Sequence, residues 1–190
     1  MADVEGQVRD EQLDPEREAR RRRALAQVRQ YPDPVLRLRA REIEEFDAVL
    51  ARLAERMGAL MEEARGVGLA APQIGLSQRL LVYRTGEDEP LVAVANPQVV
   101  ESSDEVETAD EGCLSLAMAS VIVPVERPVG VVVDGRAPSG EEVRIEAEGL
   151  EARVLQHEID HLDGVLTLER TTDEGRRRAL AELRLQPVLG

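Results

Sequence analysis

The stretch "QHEIDHLDG", residues 156–164, carries both histidines of a 190-residue chain. On a helix, positions i and i+4 share one face about one turn apart, so His157 and His161 point their imidazoles the same way. Such a pair can meet a common ion, and Glu158, one position round, is placed to handle a proton on water there. The competing reading is a solvated surface face rich in ionisable groups. With only two histidines in the whole sequence, their spacing and the glutamate directly after the first favour a metal site. Leu150 and Val154 fall on the same stripe and supply an apolar wall. The helix is predicted over about 150–162, with Gly164 as its C-terminal cap.

Two imidazoles hold a catalytic divalent ion poorly, and a third protein ligand that leaves one position for water is the usual solution. The only cysteine, Cys113, lies in "EGCLSL" (111–116), between predicted strands. A lone cysteine is more often a small buried hydrophobe. Beside the histidine pair, in a chain with no other soft ligand, a set of one Cys and two His is the economical arrangement.

Outward from this centre, apolar residues Ile43, Phe46, Leu50, Leu53, Met57, Leu60, Met61 and Ala64 recur every three or four positions and predict a long helix over 42–65. Short β-branched runs separated by turn residues follow: "RLLVYR", "LVAVANP", "VIVPVE", "VGVVVDG" and "EEVRIEAEG". "DGRAPSG" (134–140) reads as a hairpin loop, "YPDPVLR" (31–37) as an extended, proline-stiffened segment, and "TTDEGRRRALAELRL" (171–185) as a last helix started by Thr172 or Asp173. The fold expected is α+β: one domain of small mixed or antiparallel sheets packed around a central metal-binding helix, with a long helix on its N-terminal side and a C-terminal helix. Residues 1–24 are dominated by charge and predict a flexible or loosely helical extension, 25–170 the catalytic body, and 171–190 the C-terminal helix and tail.

A formal net charge of -14 excludes nucleic-acid binding through the surface at large, since that rests on cationic contacts to phosphate. One cysteine makes no intramolecular disulfide, the N-terminus lacks a signal peptide's apolar core, and no apolar run spans a bilayer. The expectation is a soluble, cytoplasmic protein without a membrane partner. With an aromatic fraction of 2%, its core must be built from Val, Leu, Ile, Ala and Met.

Three blocks in order, "GVGLAAPQIG" (66–75), "EGCLS" (111–115) and "QHEIDHLDG" (156–164), resemble the peptide deformylases, and the likeness spans roughly residues 28–170. A lone HExxH motif indicates only a metal hydrolase, whereas the three blocks together are specific. The resemblance implies that Cys113, His157 and His161 bind the ion with water in the fourth position, and that Glu158 is general base and acid. Gln73 and the backbone N–H of Leu114 would stabilise the oxyanion. Gly66, Val67, Gly68, Leu69, Glu111, Gly112, Leu150 and Val154 would line the peptide groove. The reaction implied is removal of the formyl group from formyl-methionyl nascent peptides, releasing formate. Fe(II) is the ion implied, with Zn, Ni or Co able to occupy the same ligands.

One departure stands out. Where many deformylases continue from "EGCLS" with Pro or Pro-Gly and then an Arg that contacts the substrate backbone, this chain has "LAMAS" (116–120), so the expectation is either another cation in that role, such as Arg127, or a preferred substrate that differs from generic formyl-methionyl peptides. Arg176, Arg177, Arg178 and Arg184 form a basic patch on the predicted last helix and make ribosome contact the matching expectation. The alternatives are another HExxH metal amidase or peptidase, and an inactive paralogue that binds nascent N-termini.

Overall fold

The computed structural model describes residues 14–86, 88–119 and 121–184. Helix α1 (Pro15–Leu25) begins with the Asp14 side chain accepting from the Glu16 N–H and ends with Ala24 and Leu25 buried. The expectation for residues 1–13 lies outside the described part; from Pro15 onward the charged extension is a helix docked on the body. Charge alone concealed this, because only the two apolar residues at its C-terminal end enter the core.

Helix α2 (Ala48–Glu63) starts later than periodicity predicts. The Asp47 carboxylate accepts from the backbone N–H groups of Val49 and Leu50 at 2.8 and 3.0 Å, which fixes the N-terminus there. Ile43 keeps its apolar role outside the helix, and both of its backbone groups pair with the Asn96 side chain. The "YPDPVLR" segment is not extended throughout: Pro34–Arg37 form a 3₁₀ turn capped by Asp33, which accepts from the Val35 N–H at 3.0 Å.

Seven strands follow, every pairing antiparallel: β1 (Gly68–Ala70), β2 (Leu80–Tyr83), β3 (Val92–Ser102), β4 (Val106–Gly112), β5 (Ile122–Pro128), β6 (Gly130–Arg136) and β7 (Glu142–Glu148). They form a five-stranded sheet in the order β1-β2-β3-β6-β7 and a separate β4-β5 ribbon. Alternation along β2 separates two cores, because successive side chains point to opposite faces. Leu80 and Val82 pack on α2 with Met57, Leu60 and Met61, whereas Leu81 and Tyr83 pack on α3 (Gly149–Leu162) with Val154, Leu155 and Leu162. Burial of each such side chain contributes about 1.5–3 kcal/mol.

A third cluster joins Val121, Val123 and Val125 of the ribbon side to Leu168 of α4 (Thr167–Arg170) and Ala179 of α5 (Asp173–Arg184). Thr172 supplies a cap for α5, its hydroxyl accepting from the Gly175 N–H at 3.1 Å. Helix α3 thus lies at the centre, as expected of an α+β domain. It ends at Gly164, whose φ of 74° is left-handed and where a Cβ would lie 2.6 Å from the Arg37 carbonyl oxygen. Only glycine meets both demands. Among the described residues no helix is long and apolar enough to cross a membrane.

Candidate metal centre and peptide cleft

Helix α3 places His157 and His161 one turn apart with ring centroids 5.0 Å from each other. Cys113 follows directly on β4 and precedes a 3₁₀ turn, Leu114–Ala119, which carries its thiol back toward α3. The Cys113 Sγ to His161 Nε2 distance is 3.2 Å, and the three ligand atoms of Cys113, His157 and His161 all lie within 4.8 Å of one another. Donors around a tetrahedral ion stand roughly 3.3–3.6 Å apart, given metal–sulfur and metal–nitrogen bonds of about 2.3 and 2.0 Å. The three residues therefore fit a single divalent ion with soft and imidazole ligands.

The His157 ring is oriented from behind. Its Nδ1–H donates to Glu111 Oε2 at 3.0 Å, which leaves Nε2 as the nitrogen available to an ion. Glu111 in turn receives a two-pronged bond from Arg127, Nε to Oε1 at 2.6 Å and Nη2 to Oε2 at 3.0 Å, plus one from Arg153 at 2.8 Å. Arg127 also donates to Asp160 at 2.9 Å, and Asp160 accepts from Arg170 at 3.0 Å. A buried charge network thus ties β4, β5, α3 and α4 together behind the ligands. Burial alone would raise the Glu111 carboxyl, but hydrogen bonds from His157 and Arg127 outweigh it and hold the group at about 2.

Burial likewise raises the Cys113 thiol, yet the flanking imidazoles of His161 and His157 hold it well below its ordinary range, favouring the thiolate that binds metals. Glu158 moves the other way: burial pushes its carboxyl above the usual range, against the pull of His157 and His161. Its Oε2 is buried without a hydrogen-bond partner among the described residues. The carboxylate lies over Gly68, where a Cβ would overlap it.

These groups stand at the base of a cleft of about 420 Å³. Gly66, Val67 and Gly68 form one side, Glu111, Gly112, Cys113 and Leu114 another, and Leu150 and Val154 an apolar flank, with Gln73 also reaching in. Gln73 is 1% exposed and fixed at both ends: its Oε1 accepts from the Ala70 N–H at 2.8 Å, and its Nε2 donates to Ser115 Oγ at 3.2 Å and approaches Cys113 Sγ at 3.7 Å. The segment after α1 straps both loops. Arg29 N–H donates to the Gln73 carbonyl, Gln30 Nε2 to the Leu114 carbonyl and Tyr31 N–H to the Ser115 carbonyl.

Two expectations need correction, Leu69 and Arg127, and that for Glu111 holds with a refinement. Leu69 is fully buried in the α2-side core and does not line the cleft, because a strand residue between Gly68 and Ala70 points away from it. Glu111 borders the cleft, but its carboxylate is committed to His157 and two arginines. Arg127 is 5% exposed and locked between Glu111 and Asp160, so it is no substitute for a substrate-binding arginine. Of "LAMAS", Leu116 is buried in the third core cluster, and Ser120 lies outside the described residues. Sequence reasoning missed Ser115 as the partner of Gln73 and Asp160 as the partner of Arg127, although both residues stand inside the motifs that drew attention.

A cysteine and two histidines spaced to suit one metal ion, set beside a buried carboxylate at the base of a cleft, are the arrangement of a metal-dependent hydrolase. The chain belongs to the polypeptide deformylase family, whose sequence model matches residues 25–177. Members of this family remove the N-terminal formyl group from nascent polypeptides. The peptide deformylase of Natranaerobius thermophilus is 48% identical over 150 residues, covering 79% of this chain and 94% of its own. That of Thermotoga neapolitana is 46% identical over 164 residues, covering 86% and 96%. Among solved structures, a peptide deformylase from Legionella pneumophila superposes with a TM-score of 0.77 at 38% identity, covering 83% of this chain and 92% of that one. Arabidopsis thaliana peptide deformylase 1B gives 0.78 at 37%, covering 83% and 88%.

Proposed function

We propose that Cys113, His157 and His161 hold the divalent ion of this deformylase and that Glu158 moves the proton. The observation that carries the reading is the convergence of the three ligand atoms next to a buried carboxylate whose Oε2 has no partner among the described residues. An ion held by these three residues would supply Lewis acidity, of the kind that lowers the pKa of a water molecule toward about 7.

A formyl-methionyl terminus would enter past Gly66–Gly68 with its formyl group toward Glu158 and Gln73. Glu158 accepts the water's proton and returns it to the departing amine, a dual role suited to a carboxyl raised by burial. Gln73 Nε2 and the Leu114 N–H donate to the oxygen that gains charge. The hydrogen bonds holding Gln73 and the Leu114 carbonyl mean these donors need little reorganisation as the reaction proceeds. Leu150 and Val154 receive the methionine side chain, and formate leaves with the free amine as second product.

The ion we infer is Fe(II), with Zn, Ni and Co competing for the same donors. Arg176, Arg177, Arg178 and Arg184 are all exposed on α5 and form the basic patch we assign to ribosome contact, in keeping with a cytoplasmic enzyme that meets emerging chains. Charge reversal of these four should weaken ribosome co-sedimentation without changing formate release from short peptides.

The deciding experiment compares formate release from formyl-Met-Ala-Ser with acetate release from its acetylated twin, using anaerobically purified protein with its metal content measured. Rapid cleavage of the formyl peptide alone is expected. Equal cleavage of both, or of neither, would reject the assignment.

A further inference from the structure

The cleft holds a cation that comes from outside the deformylase-matched span. Arg21, on α1, lines the same cavity as Gly112, Cys113 and Glu158, whereas the family match begins at residue 25. Its position is fixed by packing. Ala24, Leu25 and Val28 sit in the α2-side core with Leu114 and Ala117 against them, so the helix is seated on the turn that follows Cys113. Arg21 precedes Leu25 by four residues and shares its face, which directs it to the protein side of α1.

Arg21 is weakly engaged there. Its contact with Glu18 is 3.7 Å long and lies near the surface, where such pairs contribute little. Arg65 lines the same cavity and holds a left-handed backbone conformation, φ 60°, where glycine is normally favoured. The remaining arginine of the lining, Arg153, is committed to Glu111 and two backbone carbonyls. Against the two cations stands the exposed Asp110, while Glu111 is buried and paired with Arg127 and Arg153, and Glu158 is buried at the reacting end. On a chain of net charge -14, which repels acidic ligands at large, the mouth of the cleft is a local exception.

Resting on the deformylase reading, we propose that Arg21, supported by Arg65, is a specificity-determining residue that selects formyl-methionyl peptides with an acidic side chain downstream of the methionine. The guanidinium pairs with a carboxylate of the passing peptide, and the formyl group reaches Glu158 unaffected.

The test measures KM and kcat separately for formyl-Met-Ala-Asp-Asp and formyl-Met-Ala-Ser-Ser on the metal-loaded enzyme. Wild type should show the lower KM for the acidic peptide. Arg21→Glu should raise that KM about fivefold, the size of a partly screened ion pair, with kcat and the KM of the neutral peptide nearly unchanged. Arg23→Glu makes the same charge change on an exposed position of α1 and should leave both peptides alone. Equal KM values for the two peptides in wild type, or the same loss in both variants, would overturn the proposal. Binding of the deformylated products, Met-Ala-Asp-Asp and Met-Ala-Ser-Ser, is read alongside by calorimetry. An acidic preference lost in Arg21→Glu supports the charge selection even if formate release fails and takes the deformylase reading with it; no preference in binding rejects it.

Discussion

His157 donates through Nδ1 to the Glu111 carboxylate at 3.0 Å, and that bond ties helix α3 to the strand that leads into Cys113. Because Glu111 is also gripped by Arg127, the ring orientation inherits the rigidity of a buried charge network rather than that of one side chain. Glu111→Gln keeps the size and one acceptor oxygen but removes the charge that anchors the imidazole. Metal affinity should fall about 10- to 100-fold, measured by competition with a chelator. Glu111→Ala should in addition lower stability by about 3–5 kcal/mol, since Arg127 would stay buried with one partner removed.

The same carboxylate sets an acid limit on stability. Its pKa falls from 4.5 in the unfolded chain to about 2 in the fold. A depressed carboxyl contributes stability that is fully present above the unfolded value and is lost as pH falls through the folded one. Between pH 4.5 and 2 the wild type should lose about 3 kcal/mol of unfolding free energy from this group, and Glu111→Gln should show a correspondingly shallower loss in urea titrations.

What was readable from sequence follows the range of the interactions. Helix α3 announced itself because its ligand spacing, apolar stripe and terminal glycine are all local. The long helix was legible except at its start, where the Asp47 cap overrides an apolar rhythm that continues upstream to Phe46 and Ile43. Strand β4, "VETADEG", was invisible: it is acidic, with no β-branched run and no apolar alternation, and it is held by pairing with β5 along its whole length. Strand β1 is three residues long and pairs only with β2. The Glu111 to His157 bond spans 46 residues, so Glu111 was legible as a groove residue, which it is, but not as the partner of that imidazole. Arg127 failed for the same reason, as both of its carboxylate partners are distant in sequence.

Gln73 should act on turnover more than on binding. Its Nε2 sits beside Cys113 and Ser115, where in the proposed role it would face an oxygen that gains charge only as the reaction proceeds. Gln73→Leu should lower kcat about 100-fold with a small change in KM. It should also cost about 1–3 kcal/mol of stability, because the Ala70 N–H loses its acceptor in a buried site. Steady-state kinetics and thermal unfolding on one preparation separate the two effects.

Glu158 is raised by burial, so the acid limb of the kcat/KM profile should lie above the ordinary glutamate range. The base must be ionised, and activity falls as pH drops through its folded pKa. Glu158→Ala should retain one ion per chain and lose about 10²- to 10⁴-fold in kcat. Retained activity in a metal-replete variant would remove Glu158 from the mechanism.

Gly68 controls where that carboxylate rests. A Cβ there would overlap Glu158, and the base, which is 4% exposed, has little room to yield. Gly68→Ala should therefore displace the carboxylate by a fraction of an ångström to one ångström, enough to lower kcat about 100-fold, while the ligand triad keeps its metal. A purely structural effect of the new methyl would persist whatever stands at position 158. In the Glu158→Ala background the methyl meets no carboxylate, so the second substitution should cause almost no further loss, a strong departure from additivity. Additive losses in the double variant would show that Gly68 serves the peptide's backbone rather than the position of the base.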